Sequence, residues 1–159
     1  MVSSDQLWTL ATFAASGYLL RVGHNVADHV TGQTDTQAEG KSAPKPEDVA
    51  AGANPHAGWK ANLGHVALYH LTLVVLGFVA WLVLPLHWSW VGVLAALVWS
   101  AATHAFLDRR WPVRWLLEHT GSKQFAQLNK GGMNGMYLSD QALHDLALWI
   151  SALLLALVN

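Results

Sequence analysis

Three pairs of one histidine and one aspartate occur in this chain with the two residues four positions apart. The pairs are His24/Asp28, His104/Asp108 and Asp140/His144. Residues at this spacing lie on the same face of a helix, so each pair can present both polar groups to one site. Neutral imidazole and carboxylate together form a nitrogen and oxygen ligand set that suits zinc, with manganese or iron as alternatives.

A seventh candidate ligand is His65, which we expect at the same depth as the three pairs. His70 lies five residues further on and about 140° around the helix, so only one of the two can face a common site. Seven ligands are enough for two metal ions, or for one ion with carboxylates that orient the imidazoles. The alternative is a purely structural network of hydrogen-bonded polar groups. The remaining histidines, in loops or at interfaces, are expected to have no part in the site: His29, His56, His87 and His119.

The elements that carry these residues are long apolar segments. Hydrophobic residues make up 53% of the 159 residues and charged residues 12%, against about 25% charged in a typical soluble domain. A helix that crosses the bilayer core needs roughly 20 mainly apolar residues. We therefore predict a single domain over 1–159, an all-α membrane four-helix bundle with up-down-up-down topology, whose spans cover about 7–30, 63–84, 90–108 and 137–158. Alternating directions would bring all the polar helix ends together at one level.

Connecting segments differ in character. The segment Thr31–Ala61 is rich in Gly, Pro, Ala and charge and is predicted to be an exposed loop, mobile around Ser42–Pro55. Pro85–Ser89 is predicted to form a tight turn. The second long connection, 109–136, contains Trp111–Glu118, whose apolar residues lie among Arg114 and Glu118 in an amphipathic pattern that predicts a short helix lying in the membrane interface.

Charge distribution predicts the orientation. All nine Lys and Arg residues fall in or beside the two long connections, and none in the tight turn or the termini. The positive-inside rule then places both loops in the cytoplasm and both termini outside, with the site near the cytoplasmic face. Arg109, Arg110 and Arg114 are explained more economically as topology signals than as a phosphate site. The first apolar segment lacks a basic leader and is expected to remain in the mature protein.

An ordered set of motifs resembles a bacterial integral-membrane family designated domain of unknown function 3307, in its actinobacterial form. The set begins with His24-x-x-x-Asp28-His29, Gln33-Thr34-Asp35-x-Gln37 and Lys41, and continues with His65, Thr103-His104, Asp108-Arg109-Arg110 and Asp140-Gln141-x-x-His144. The resemblance covers nearly the whole chain, although the Ser42–Pro55 insertion departs from the compact loop of the family. It implies a multi-pass protein of the bacterial inner membrane and carries no established activity.

Our functional hypothesis is a metal-dependent hydrolase acting on a lipid or another phosphorylated membrane substrate, with a metal-bound water as nucleophile. Asp145 or Asp35 would accept the proton. The alternative is a non-catalytic membrane accessory protein whose polar or metal cluster is structural and whose loops recruit a cytoplasmic partner. Transport of a proton or metal ion is a third hypothesis and haem ligation a fourth. The expected partner is the lipid bilayer, and no nucleic acid.

Overall fold

The computed structural model describes residues 2–158, and the chain is mostly helical, as predicted. Four helices are long: α1 (Ser4–Val26), α4 (Trp59–Val83), α5 (Trp90–Leu107) and α8 (Gly135–Leu157). Four are short: α2 (Asp35–Gly40), α3 (Pro46–Ala50), α6 (Trp111–His119) and α7 (Lys123–Ala126). A π-helical turn over Ala27–Thr31 continues α1, and a small antiparallel hairpin joins β1 (Asn129–Lys130) to β2 (Met133–Asn134).

Side-chain caps determine where three long helices begin. Ser3 accepts a hydrogen bond from the backbone N–H of Gln6 before α1, and the Gln6 side chain accepts one from the Ser3 N–H. The Ser89 side chain accepts from the Gly92 N–H before α5, and the Asn134 side chain accepts from the Tyr137 N–H before α8. These side chains satisfy backbone N–H groups that lack a partner within the helix, which stabilises the helix start.

The four long helices pack around one another. α1 contacts α8 and α4, and α5 contacts the same two helices. α8 is the most buried of the three most apolar helices, and its inward face carries small residues such as Ala147, Ser151 and Ala152. Small side chains allow neighbouring helix backbones to approach closely.

One end of this assembly is held by contacts between the N-terminus, the turn before α5 and the C-terminus. The Trp8 ring lies 4.8 Å from the His87 ring, centre to centre. Trp88 Nε1 donates to Ser16 Oγ at 2.8 Å, and Ser89 Oγ donates to the Val158 carbonyl at 2.5 Å. The predicted His/Asp pairs lie at the opposite ends of the helices.

Three of the long helices, α4, α5 and α8, are long and apolar enough to cross a membrane. These match the last three predicted spans to within a few residues. The first predicted span corresponds to α1 and the π turn, and α1 is not among the three. Its role as a fourth span remains a prediction.

The segment between α1 and α4 is partly helical, and its first half is less exposed than predicted, whereas residues 45–57 are exposed as predicted. It contains α2 and α3, and it buries Gly32 and Lys41. Arg109 anchors it, because the guanidinium donates to the carbonyls of Lys41 (3.0 Å) and Ala57 (2.6 Å) and stacks over Trp59. Burial lowers the pKa of Arg109 from its ordinary value, although an arginine remains protonated at neutral pH. This arginine is therefore a structural anchor as well as a charge on the predicted cytoplasmic side.

Candidate metal centre

Five of the seven predicted ligands form a single buried cluster where the long helices meet. They form two groups of three residues that share His104, and within each group the ligand atoms all lie within 4.8 Å of one another. The five residues are between 0% and 5% exposed. They are Asp28, His65, His104, Asp108 and His144.

The shortest distances in the cluster surround His65 Nε2. This atom lies 2.9 Å from His104 Nε2, 3.0 Å from Asp28 Oδ1 and 3.2 Å from Asp108 Oδ2. In a tetrahedral zinc site with bonds of 2.0–2.2 Å, neighbouring ligand atoms are roughly 3.3 Å apart. The three distances to His65 Nε2 are slightly shorter than this spacing, and His104 Nε2 lies 3.3 Å from Asp108 Oδ2 and 3.9 Å from Asp28 Oδ1. Asp28, His65 and His104 form one group that can hold an ion, and His104, Asp108 and His144 form a second.

The second ring nitrogen of two cluster histidines is held by a backbone carbonyl. Nδ1 of His65 donates to the Gly32 carbonyl and Nδ1 of His144 to the Asp140 carbonyl, each at 2.9 Å. Because a carbonyl only accepts, both rings carry their proton on Nδ1 when neutral, and each Nε2 keeps its lone pair. The same arrangement orients histidines in metal sites.

Three buried polar atoms in or beside the cluster have no hydrogen-bond partner among residues 2–158. They are His144 Nε2, Asp140 Oδ1 and Asp108 Oδ2, the last of which lies 3.1 Å from the Lys41 ammonium. An unsatisfied buried acceptor is costly, and native structures contain few. A bound ion would satisfy the His144 nitrogen directly.

A buried lysine reaches the centre of the cluster from the segment before α4. Lys41 is 5% exposed, and its ammonium donates to His65 Nε2 at 3.1 Å. The same Nζ atom lies 3.1 Å from Asp108 Oδ2 and 3.4 Å from Asp28 Oδ1. The ammonium thus contacts the atoms that a metal ion would bind.

Formal charges in the buried region do not balance with Lys41 alone. Asp28, Asp108 and Asp140 are all buried, and Lys41 is the cation in contact with two of them. With neutral histidines, three carboxylates and one ammonium would leave two negative charges. An imidazolium at His65, whose Nε2 lies 3.0 Å from Asp28 Oδ1 and 3.2 Å from Asp108 Oδ2, would offset one of them. Buried charge without a partner is strongly unfavourable, and either protonation of a histidine or a divalent cation would reduce it.

His24 and Asp140, also predicted as ligands, flank the cluster. Nε2 of His24 donates to Gln141 Oε1 at 3.0 Å, and Nδ1 is hydrogen-bonded to Tyr69 Oη at 3.1 Å. The His24 ring stacks on that of His144. Gln141 Nε2 also donates to Asp28 Oδ2 at 3.2 Å. Asp140 Oδ2 lies 3.8 Å from His144 Nδ1. The positions of His24 and Asp140 suit residues that orient ligands.

The two predicted proton acceptors lie elsewhere. Asp145 forms an ion pair with Arg21 at 2.6 Å, and Asp35 is exposed in the first turn of α2.

His70 is hydrogen-bonded to the Val66 carbonyl and to Ser100 Oγ, so His65 is the α4 histidine in the cluster, as expected. His29, His56, His87 and His119 are exposed.

Local backbone structure positions Asp28. The π-helical turn over Ala27–Thr31 widens the end of α1, and Gly32 N–H closes it on the Ala27 carbonyl at 2.6 Å. Gly32 then passes so close to α4 that a Cβ atom there would lie 3.1 Å from Tyr69 Cα and would overlap the Ala27 carbonyl. A glycine at this position is what allows the backbone to reach His65.

Sequence reasoning missed the contributions of Lys41, Gln141, Tyr69 and the Gly32 carbonyl. Lys41 and Gln141 do occur in the motifs that carried the family resemblance, and this was the available signal. Tyr69 lies four residues after His65, on the same helical face. No periodicity pointed to the Gly32 carbonyl.

The fold and the cluster define a helical protein with membrane-length apolar helices and a buried His/Asp group that can hold a metal ion. Comparisons with protein-family models, with curated proteins and with solved structures gave no match. The predicted resemblance to domain of unknown function 3307 stays untested, and the functional argument rests on the site itself.

Proposed function

We propose that this chain is an integral membrane protein that holds a divalent transition-metal ion in the buried His/Asp cluster, at one end of an up-down-up-down four-helix bundle. The observation that best supports this proposal is the closely spaced set of nitrogen and oxygen ligand atoms, which includes the unpartnered His144 Nε2. Zinc is our first choice because imidazole and carboxylate ligands suit it.

The exposed surface supports the membrane part of this proposal. Large apolar side chains on all four long helices are exposed, and a soluble monomer rarely exposes continuous apolar surface on this scale. α1 contributes to this surface, which favours a fourth span despite its polar residues. Examples are Leu10, Tyr18, Leu71, Val75, Phe78, Leu94, Val98 and Leu146.

Helix direction and charge support the proposed topology. Contacts among Trp8, His87, Ser89 and Val158 gather one set of helix ends, while the cluster gathers the other. The Lys and Arg residues accompany the cluster end, so the positive-inside rule places the centre toward the cytoplasm, in a bacterial inner membrane if the family resemblance holds.

Binding of the ion would displace the Lys41 ammonium. Both cations need the His65 Nε2 lone pair and the inner oxygens of Asp28 and Asp108. Lys41 therefore acts as a built-in competitor that stabilises the metal-free state and lowers the apparent metal affinity.

Elemental analysis of the purified protein tests the proposal. Protein extracted in mild detergent without chelator should carry about one or two transition-metal ions per chain, as the ligand number allows. Chelation should remove the metal, and added zinc should then raise the unfolding temperature, because a ligand that binds only the folded state stabilises it.

A protein that is purified metal-free and gains no stability from zinc, manganese or iron would contradict the proposal. The cluster would then be the structural polar network considered above, with Lys41 as its permanent cation. A matched control is His56→Leu, which removes an exposed histidine and should leave metal content unchanged.

Hydrolysis of a lipid or phosphorylated membrane substrate is the second candidate function. This function is supported by the position of Asp140, a buried carboxylate beside His144 with one unpartnered oxygen. Asp140 is better placed to accept a proton than Asp145 or Asp35. A metal ion would supply a bound water of lowered pKa. Substrate would have to enter by movement of the segment that carries Lys41, since the ligands are buried.

Zinc-loaded protein in phospholipid vesicles tests this activity. Release of a headgroup or fatty acid that is lost in Asp140→Asn would support a hydrolase. Metal retained without any hydrolysis would favour the alternative, a non-catalytic accessory protein whose metal centre stabilises the fold.

A further inference from the structure

An apolar cavity of about 400 Å³ lies between α4 and α5, with α1 and α8 behind it. Its volume is within the range of roughly 300–1,000 Å³ typical of ligand pockets. The wall is formed mainly by aliphatic and tryptophan side chains. Representative residues are Leu20, Leu73, Gly77, Trp88, Val93 and Leu97.

The few polar groups in the wall are satisfied by the protein itself. Ser100 Oγ lies 3.0 Å from His70 Nε2, and Ser151 Oγ donates to the Ala147 carbonyl at 3.1 Å. Ser89 Oγ donates to the Val158 carbonyl. Buried water needs two to four polar partners, so this cavity favours an apolar occupant over water.

The cavity opens sideways, toward the surface that we assign to lipid. Val74, Phe78, Trp81 and Trp90 line its outer rim, and each of these side chains is exposed. Anything entering through this opening would come from the hydrocarbon region of the bilayer, if the proposed membrane placement is correct. The occupant must therefore be a hydrophobic component of the membrane.

Length favours one kind of occupant. The cavity runs along α5 from Trp90 to Ser100, a rise of about 15 Å at 1.5 Å per residue. This is half of the roughly 30 Å hydrocarbon thickness of a bilayer, the depth of one leaflet. A single extended acyl chain fits this length.

We propose that the cavity between α4 and α5 binds one acyl chain of a bilayer lipid. The inner end of the chain would lie beside the His70–Ser100 pair, and the His70 ring is 6.3 Å from that of His104 in the metal centre. The acyl chain would pack against Leu73 and Leu97, and its other end would lie beside Trp88. The proposal rests on membrane insertion and is independent of whether the cluster binds a metal.

Native mass spectrometry of the full chain, reconstituted in vesicles of phosphatidylethanolamine and phosphatidylglycerol and then released in mild detergent, tests the proposal. About one lipid per chain should remain bound to the wild-type protein, as expected for a single pocket. Gly77→Leu should reduce the retained lipid roughly tenfold, equal to about 1.4 kcal/mol of affinity. A Cβ at Gly77 would meet the Trp88 ring at 3.8 Å, so the new side chain enters the cavity without a clash at its base.

Leu97→Phe fills the same space from α5 and provides a second variant if Gly77→Leu does not fold. Ala67→Leu is the control, because Ala67 is exposed on α4 and a leucine there adds volume outside the cavity. Circular dichroism and metal content should be unchanged in all variants that fold. Equal lipid retention in a folded cavity-filling variant and in the control would overturn the proposal.

Two further outcomes separate this proposal from the membrane placement. If the protein floats with the vesicles but retains no lipid, or retains only detergent, the acyl-chain site is wrong and the membrane placement stands. If the protein does not float, the membrane placement itself is wrong and the acyl-chain proposal fails with it.

Discussion

At the scale of single residues, the two nitrogens of each histidine have different surroundings, and this difference determines what the residue contributes. In His65 and His144, Nδ1 donates a hydrogen bond to a backbone carbonyl and Nε2 points into the cluster. His24 uses both nitrogens, on Tyr69 and Gln141. In the proposed metal centre, the first two are therefore placed to act as ligands and His24 to orient its neighbours.

Replacing His144 with leucine should weaken metal binding strongly at little cost to the metal-free fold. The leucine has similar bulk and removes a buried nitrogen that has no partner, a change that is often close to neutral for stability. Zinc affinity, measured by calorimetry, should fall at least about 100-fold, the upper end of what even an orienting residue contributes. His56→Leu is the control, and an unchanged zinc affinity in His144→Leu would exclude His144 as a ligand.

The spacing of residues predicted much of this site. The His/Asp pairs at four-residue spacing and His65 converge because the helix period alone places them on inward faces. Lys41 was unpredictable by that reasoning, since its position depends on the path of an irregular segment and on the Arg109 anchor. The division between ligand and orienting residue was also hidden, because it depends on hydrogen bonds that only the folded chain forms.

At the scale of elements, the π-helical turn after α1 determines where Asp28 and Gly32 lie. Such turns are frequent at functional sites, because they displace side chains from the regular helical period. The turn depends on Gly32, which approaches both the Ala27 carbonyl and Tyr69.

Gly32→Ala should push the backbone away from α4 and break the bond between the Gly32 carbonyl and His65 Nδ1. Because that bond orients a ligand, zinc affinity should fall about 10–100-fold. Zinc titration followed by calorimetry measures this. Gly17→Ala is the control, since a Cβ there would meet Ala152 at an ordinary 3.7 Å. Equal affinities in the two variants would show that the turn does not position the site.

The segment that carries Lys41 is held mainly by Arg109. Arg109→Gln should release it, because the two carbonyls of Lys41 and Ala57 lose a charged donor and each such bond contributes about 1.5–3 kcal/mol. Limited proteolysis should then cut within 42–56 more rapidly than in wild type. Arg114→Gln changes an exposed arginine and should have no effect. Proteolysis at the wild-type rate in Arg109→Gln would contradict this role.

Apolar length predicted the long elements well. α4 and α5 begin and end within four residues of the predicted spans, because uncharged stretches of this length favour helices. Composition also predicted the turn before α5 and the short helix α6 (Trp111–His119). It missed α2 and α3, which lie in a segment of Gly, Pro and charge where local sequence favours a loop. α2 packs against α4, a contact that local composition does not reveal.

At the scale of the whole molecule, the proposed topology places the exposed segments on opposite sides of the membrane. Both termini and the turn before α5 lie outside, and both long connections lie in the cytoplasm. The chain contains no cysteine, so single-cysteine variants report position without background. In intact cells, an impermeant thiol reagent should label Ser3→Cys and His87→Cys and leave Ala53→Cys and Gln127→Cys unlabelled until the membrane is opened.

All four chosen positions are exposed in the fold, so a missing reaction reports the membrane and not burial. Labelling of Ala53→Cys with protection of His87→Cys would invert the orientation but keep the topology. Labelling of Ser3→Cys without His87→Cys would exclude four spans with alternating direction.

The proposed competition between a divalent metal and the Lys41 ammonium for one buried cluster can be measured as the zinc dependence of the unfolding free energy of Lys41→Met. Without metal, the variant leaves buried carboxylates without their cation, which should cost about 3–5 kcal/mol of unfolding free energy. Zinc should restore that stability, and it should bind the variant more tightly than wild type because the competitor is gone. If Lys41→Met is destabilised and zinc restores nothing, or if zinc stabilises neither protein, the cluster is a structural network and not a metal centre.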